Sequence, residues 1–155
     1  MAEMKVAELT TLAGRELAPT AWIEVTQQRI DAFARCTDDH QFIHVDAQRA
    51  RRESPFGSTI AHGFLLLSLV AGHPPPDFPR FSNLAFALNY GLDRVRLLSP
   101  VRSGARVRLR TKVVSVTEKE PGRFLVKQEK TMEIEGGDKP ALVAEQLSMF
   151  LERPG

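Results

Sequence analysis

A chain of 155 residues, 43% hydrophobic and 26% charged, is the size and composition of one ordinary globular domain able to bury a core. Its formal charge of +2 is too small to point to nucleic acid, and its single cysteine, Cys36, excludes an intrachain disulfide and fits a reducing cytosol. The longest apolar run, residues 64–70, is interrupted by Ser68 and is far short of the ~20 residues of a membrane helix. The start of the chain, MAEMKVAELTTLAGRE, lacks the apolar stretch of a signal peptide, so a cytoplasmic protein without membrane or nucleic-acid partners is expected.

Residues up to about Pro19 read as a surface wrap, and residues 22–25 as a short β-prone run. Thr26 is an N-cap for a helix that places Ile30, Phe33 and Ala34 on one face and ends near Cys36, itself expected to be a buried thiol. Thr37-Asp38-Asp39-His40 is turn chemistry, Gln41-Phe42-Ile43 leads from turn to extended chain, and Asp46 caps a short helix through Ala50. Pro and Gly mark residues 54–58 as a loop. The helix over residues 62–71 is apolar nearly all round and must be enclosed on most sides. A proline-rich loop ends it.

The second half reads as strands: residues 82–90, 94–97, 105–118, a run sharing Phe124, Val126, Gln128, Lys130, Met132 and Ile134 on one face, and residues 142–151. Val107, Leu109 and Thr111 alternate with Arg106, Arg108, Arg110 and Lys112. Tight turns between long strands make an antiparallel sheet. With no repeat or linker, the pattern specifies a single α+β domain over residues 1–155 whose curved sheet wraps one apolar helix. Such a sheet leaves an edge strand to be covered, and a homodimer is expected.

Asp39 and His44 lie five residues apart, and a helix opening with Ala61-His62-Gly63 follows. A carboxylate and an imidazole can divide proton transfer between them, and a helix N-terminus has free N–H groups for a developing oxyanion. Blander readings are that Asp39 caps a turn, His44 starts a strand, Gly63 permits close packing and His62 is a structural hydrogen-bonder. Ser68 bonds the carbonyl one turn back, or supports the catalytic segment. His40 and His44 are four apart, but no third histidine lies at a typical spacing, so no metal is expected. The arginines at 49, 51 and 52, at 94 and 96, and at 102, 106, 108 and 110 are solvated faces or contacts for an anionic small molecule.

The string Asp39-His40-Gln41-Phe42-Ile43-His44-Val45-Asp46, followed by Gly57-Ser58-Thr59-Ile60-Ala61-His62-Gly63, resembles the signature of the MaoC-like, (R)-specific enoyl-CoA hydratase/dehydratase family. Residues 89–96, Asn-Tyr-Gly-Leu-Asp-Arg-Val-Arg, resemble a second block of its nodulation protein N-like branch. The resemblance covers roughly residues 22–116. It implies the hotdog fold, and a hydro-lyase interconverting trans-2-enoyl-CoA and (R)-3-hydroxyacyl-CoA. Asp39 and His44 would hold one water, the roles of acid and base being open, and the Gly63 N–H would bind the thioester oxygen. Gln41, Ile60, Ala61, His62 and Ser68 would line the substrate site, with Arg94 and Arg96 at the coenzyme A phosphates. The acyl-CoA is then the partner, and coenzyme A enters only as part of the substrate. Gln41-Phe42 departs from the Asn-Pro of the commoner hydratase pattern, which leaves acyl preference open. An acyl-CoA thioesterase and a non-catalytic acyl-thioester-binding subunit are the alternatives. The absence of any carboxylate over residues 64–70 argues against the first, and an intact Asp39 and His44 against the second.

Overall fold

The computed structural model describes residues 3–153. Six antiparallel strands form one sheet: β1 (Glu16–Leu17), β2 (Ile23–Glu24), β3 (Leu84–Leu97), β4 (Arg106–Glu120), β5 (Arg123–Ile134) and β6 (Leu142–Glu152). Their order is β1-β4-β5-β6-β3, with β2 also on β4, so among the described residues β3 pairs only with β6. Four helices stand between β2 and β3: α1 (Gln27–Thr37), α2 (Phe42–Val45), α3 (Ala47–Glu53) and α4 (Gly63–Gly72). This is the α+β arrangement expected from the alternation of the strands and the apolarity of α4, and it is the hotdog fold that the resemblance implies.

The inner face of the sheet carries two apolar clusters. Leu65, Leu66, Leu69 and Val70 of α4 pack on Val107, Leu109, Met132, Leu142 and Ala144. Each fully buried side chain of this kind contributes about 1.5–3 kcal/mol, and α4 supplies four. The second cluster joins Val113, Phe124, Val126 and Phe150 to Val6, Leu9 and Leu12.

Those last three correct one expectation. The N-terminal segment is a 3₁₀-helix, Val6–Leu12, whose three-residue repeat turns Val6, Leu9 and Leu12 to one side, where all are buried. It is a core element rather than a surface wrap. Cys36 is exposed, not buried, because two residues of helix rotate it about 200° from buried Ala34. The two strands expected over residues 82–90 and 94–97 are one, Leu84–Leu97. Register shifts at Asn89/Gly91 and Leu92/Arg94 absorb Tyr90 and Asp93 as bulges, and the ladder with β6 continues to Leu97. α4 is not enclosed all round either: Phe64 is 73% exposed and Ser68 is exposed, both on the side towards β3. Among the described residues no helix is long and apolar enough to cross a membrane.

Leu109 is fully buried where β4 meets α4. Leu109→Ala is expected to cost about 2–5 kcal/mol of folding free energy, read from the urea midpoint at unchanged m-value.

Candidate active site

Three local devices bring Asp39, His44 and His62 together. Thr26 caps α1 by accepting a hydrogen bond from the Arg29 N–H at 3.2 Å, as its sequence position predicts. α1 ends at Asp38, which is left-handed (φ 59°, ψ 17°) and delivers the chain to Asp39. Asp46 then caps α3 through the Arg49 N–H at 2.9 Å, fixing the far end of α2. His44 therefore lies on a one-turn helix, not at the start of a strand, and its ring is turned inward.

The approach to α4 is a strap held on both sides. The Ile60 N–H donates to Ile43 O at 2.9 Å, the Ala61 N–H donates to Val101 O at 2.8 Å, and Ile60 bridges to Arg102. Ile60 and Ala61 are buried, so they act as wall and anchor. The free carbonyl of Ile60 accepts from His44 Nδ1 at 2.7 Å. An N–H must sit on Nδ1 to make that bond, so neutral His44 presents Nε2 as a lone pair. Burial lowers the His44 pKa below the usual 6.5; the Ile60 bond opposes this, His62 adds to it, and Asp39 opposes it.

His62 is the N-cap of α4 and 2% exposed. Its Nε2–H donates to the Asp39 carbonyl at 3.0 Å, while its ring stacks on His44 at 3.8 Å between centroids and meets Phe33 at 5.0 Å. It is thus a structural hydrogen-bonder that pins the backbone of Asp39. Its Nδ1 is the one buried side-chain polar atom without a partner among the described residues. The Asp39 carboxylate is half exposed, with Oδ2 4.0 Å from His62 Nε2.

Asp39, His44 and His62 each place one ligand atom within 4.8 Å of the others, a set compact enough for a metal ion. The stacking of the two rings is less suited to one. Ring lone pairs lie in the ring plane, and two rings stacked 25° from parallel point theirs side by side rather than at one centre. His40 is exposed and outside the cluster.

Gly63 is the first residue of α4, where an N–H has no intrahelical acceptor. Its φ is not in the left-handed region; an added Cβ would meet Leu97 Cδ1, so the half-exposed Leu97 side chain would have to move aside. The absent side chain leaves room for Leu97 at the helix start. Ser68 Oγ donates to Phe64 O at 2.8 Å, the local bond one turn back, and does not reach the cluster. Gln41 is exposed at the N-cap of α2 and its side chain makes no capping bond.

Arg94 and Arg96 are not brought to the cluster. They pair in register with Glu145 and Val143, whereas Val95 and Leu97 pair with the inward Ala144 and Leu142, so both arginines stand on the outer face. Arg94 is 3.7 Å from Glu145, and Arg96 donates to Val95 O at 2.8 Å.

Sequence reasoning missed Gln27. Its Nε2 donates to His44 O at 2.7 Å and to Asp31 at 2.8 Å, and its Oε1 accepts from Thr59 Oγ1. One amide thus joins α1, α2 and the strap. A Gln in the first turn of a helix ordinarily faces water, and only the burial of Thr59 beside it reveals the role.

A concavity of about 280 Å³ opens at Phe64, the residue after Gly63, and runs along the uncovered side of α4 between Leu67, Ser68 and Ala71 and the strand residues Asn89, Tyr90 and Leu92. It is apolar enough for an acyl chain and starts beside the helix N-terminus.

The chain matches the MaoC like domain family over residues 8–136. It is 44% identical over 150 residues to nodulation protein N of Rhizobium leguminosarum bv. viciae, covering 97% of this chain and 93% of the relative. It is 39% identical over 148 residues to 3-hydroxyacyl-thioester dehydratase Z of Mycobacterium tuberculosis, covering 94% and 95%. Among solved structures, an (R)-hydratase from A. caviae superposes with a TM-score of 0.71 at 23% identity, over 88% of this chain and 94% of that one, a likeness of fold.

Because burial lowers the folded-state pKa of His44, the unfolded chain takes up its proton first as pH falls. The stability tied to neutral His44 is complete above about pH 6.5 and declines from there to the folded-state pKa. The His44 ring protons in an NMR titration should report a pKa below 6.5, and His44→Gln should lose less thermal stability than wild type across that interval.

Proposed function

The chain belongs to the MaoC-like dehydratase family, in its nodulation protein N-like branch, and from that premise we propose that it adds water reversibly to trans-2-enoyl-CoA to give (R)-3-hydroxyacyl-CoA. The observation that carries the reading is the separation of Asp39 and His44. One ring nitrogen of His44 and one carboxylate oxygen of Asp39 lie within 4.8 Å of each other, a gap that one water making two hydrogen bonds of about 2.8 Å can span. His44 Nε2, a lone pair in a ring held by Ile60, is the base. The water oxygen attacks the β-carbon as its proton passes to Nε2. The electron pair of the double bond moves towards the thioester oxygen, where the Gly63 N–H and the α4 dipole stabilise the charge. Asp39 orients the water; the proton taken up by Nε2 then passes from the His44 imidazolium to the Asp39 carboxylate and from there to the α-carbon, which restores the thioester and leaves His44 neutral and Asp39 ionised. Every group returns to its starting state, so no cofactor beyond the substrate's coenzyme A is needed.

A thioester rather than a free acid suits this site, because a carboxylate resists the added negative charge that the Gly63 N–H would hold. α4 carries no carboxylate to serve a thioesterase. Loss of enoyl-thioester absorbance, followed by oxidation of the product with stereospecific 3-hydroxyacyl-CoA dehydrogenases, tests the reading. An (S)-product, or free thiol released without hydration, would overturn it. Asp39→Asn and His44→Gln should each lower kcat by about 10²–10⁴-fold while keeping the wild-type circular dichroism spectrum.

The active form is proposed to be a homodimer joined along β3. That edge is unpaired in the chain and shows Phe86, Leu88, Tyr90 and Leu92 at 52%, 50%, 63% and 43% exposure. A long apolar edge of this kind invites pairing with a second copy. Light scattering should return twice the 17.3 kDa chain mass at micromolar concentration, and Leu88→Lys should shift it towards the monomer.

A further inference from the structure

Between the two apolar clusters a belt of polar side chains crosses the inner face of the sheet. Thr111 faces Lys130 across β4 and β5, Gln128 faces Gln146 across β5 and β6, and Asn89 faces Ser148 across β3 and β6. Thr111, Gln128, Lys130 and Gln146 are all buried, Lys130 to 3% exposure. The Gln146 amide donates to Asn89 Oδ1 at 3.1 Å. Lys130 Nζ has one partner, Thr111 Oγ1 at 3.1 Å, and no carboxylate within ion-pair distance among the described residues. Burial draws its pKa down to about 8, so near neutral pH it is largely an ammonium held without a counter-charge. An uncompensated buried charge of this kind is costly, and nothing in the proposed hydration chemistry uses it.

The belt lines a cavity of about 290 Å³, with Lys130, Gln128 and Gln146 on the sheet side and Val70, Ala71 and Phe78 opposite. That cavity shares Val70, Ala71, Asn89 and Gln146 with the groove that opens at Phe64. The two therefore adjoin. Together they make a candidate path from Phe64 to the level of Val70 and Ala71, about 10 Å along α4, that ends at an amine and three amides.

We propose that this path takes an acyl chain of medium length ending in a carboxylate, the ω-carboxyacyl thioester class, with Lys130 as the group that recognises the far end. The proposal rests on the enoyl-thioester reading of the Asp39–His44 site. A carboxylate reaching Lys130 supplies the missing counter-charge in a low-dielectric setting, and Gln128 and Asn89 offer amide donors to its second oxygen. A methyl end would displace the cavity water and leave the ammonium with Thr111 alone. Recognition at the remote end then positions the double bond over His44.

The test uses matched pairs of trans-enoyl-CoA esters, octenoyl, decenoyl and dodecenoyl, ending in a methyl group or a carboxylate. Hydration by the full chain gives one readout, and calorimetric binding of the saturated esters gives another. At one of these lengths kcat/KM for the carboxylate ester is expected to exceed that of its methyl partner at least tenfold, and Lys130→Met is expected to abolish the difference in both rate and binding. Wild-type preference for the methyl ends at every length overturns the proposal, and so does equal loss on both ends in Lys130→Met. Hydration of the methyl esters alone leaves the hydratase reading standing and removes the recognition of a carboxylate. Lys130-dependent binding of the carboxylate esters without any water addition does the reverse. The wild-type comparison decides the matter by itself if Lys130→Met does not fold.

Discussion

The hydrogen bond from His44 Nδ1 to Ile60 O, at 2.7 Å, is the point on which the candidate site turns. It ties a helix of one turn, too short to hold itself, to the strap that feeds α4. It also chooses the tautomer that leaves Nε2 unprotonated. His44 held against the strap stacks on His62, whose Nε2–H in turn donates to the Asp39 carbonyl. A neutral hydrogen bond contributes about 0.5–1.5 kcal/mol net, but losing this one would also leave a buried Nδ1–H without an acceptor. Gln27 secures the same turn from the other side through His44 O, so the imidazole is fixed by its ring and by its backbone.

The sheet meets two demands that pull apart. Its inner face must be apolar where Leu65, Leu66, Leu69 and Val70 press on it, and again where Val6, Leu9 and Leu12 do. Between those regions the strand pleat brings Thr111, Gln128, Lys130 and Gln146 to the same face. A continuous apolar face with well-packed replacements would be the more stable solution. The polar belt divides the core instead, and the space left beside it joins the groove along α4.

The strands and the longer helices were legible because their signals are local. Thr26 and Asp46 cap the helices their side chains predict, and the alternation of Val107, Leu109 and Thr111 placed all three inward. The pairing of Asp39 with His44 was legible through spacing against the Ala61-His62-Gly63 helix start. What escaped depended on partners distant in sequence. Gln27 acquires its role from residues 17 and 32 positions away, and the bulges at Tyr90 and Asp93 exist only in register with β6. Residues 6–12 repeat every three positions, a period that neither a strand nor an α-helix shows. The bulges at Tyr90 and Asp93 together restore the alternation counted from Asn89, so Arg94 and Arg96 face outward while Val95 and Leu97 face inward.

The contact between Gly63 and Leu97 has a meaning in time as well as in space. Leu97 closes over the start of α4 where a methyl group on Gly63 would stand, yet its own side chain is 54% exposed and is not locked into the core. Side chains so placed change rotamer within picoseconds to nanoseconds, many orders of magnitude faster than ordinary enzymatic turnover. A substituent on Gly63 would keep Leu97 displaced, whereas an arriving ligand atom displaces it only in passing. Leu97 is thus too quick to act as a gate at the helix start.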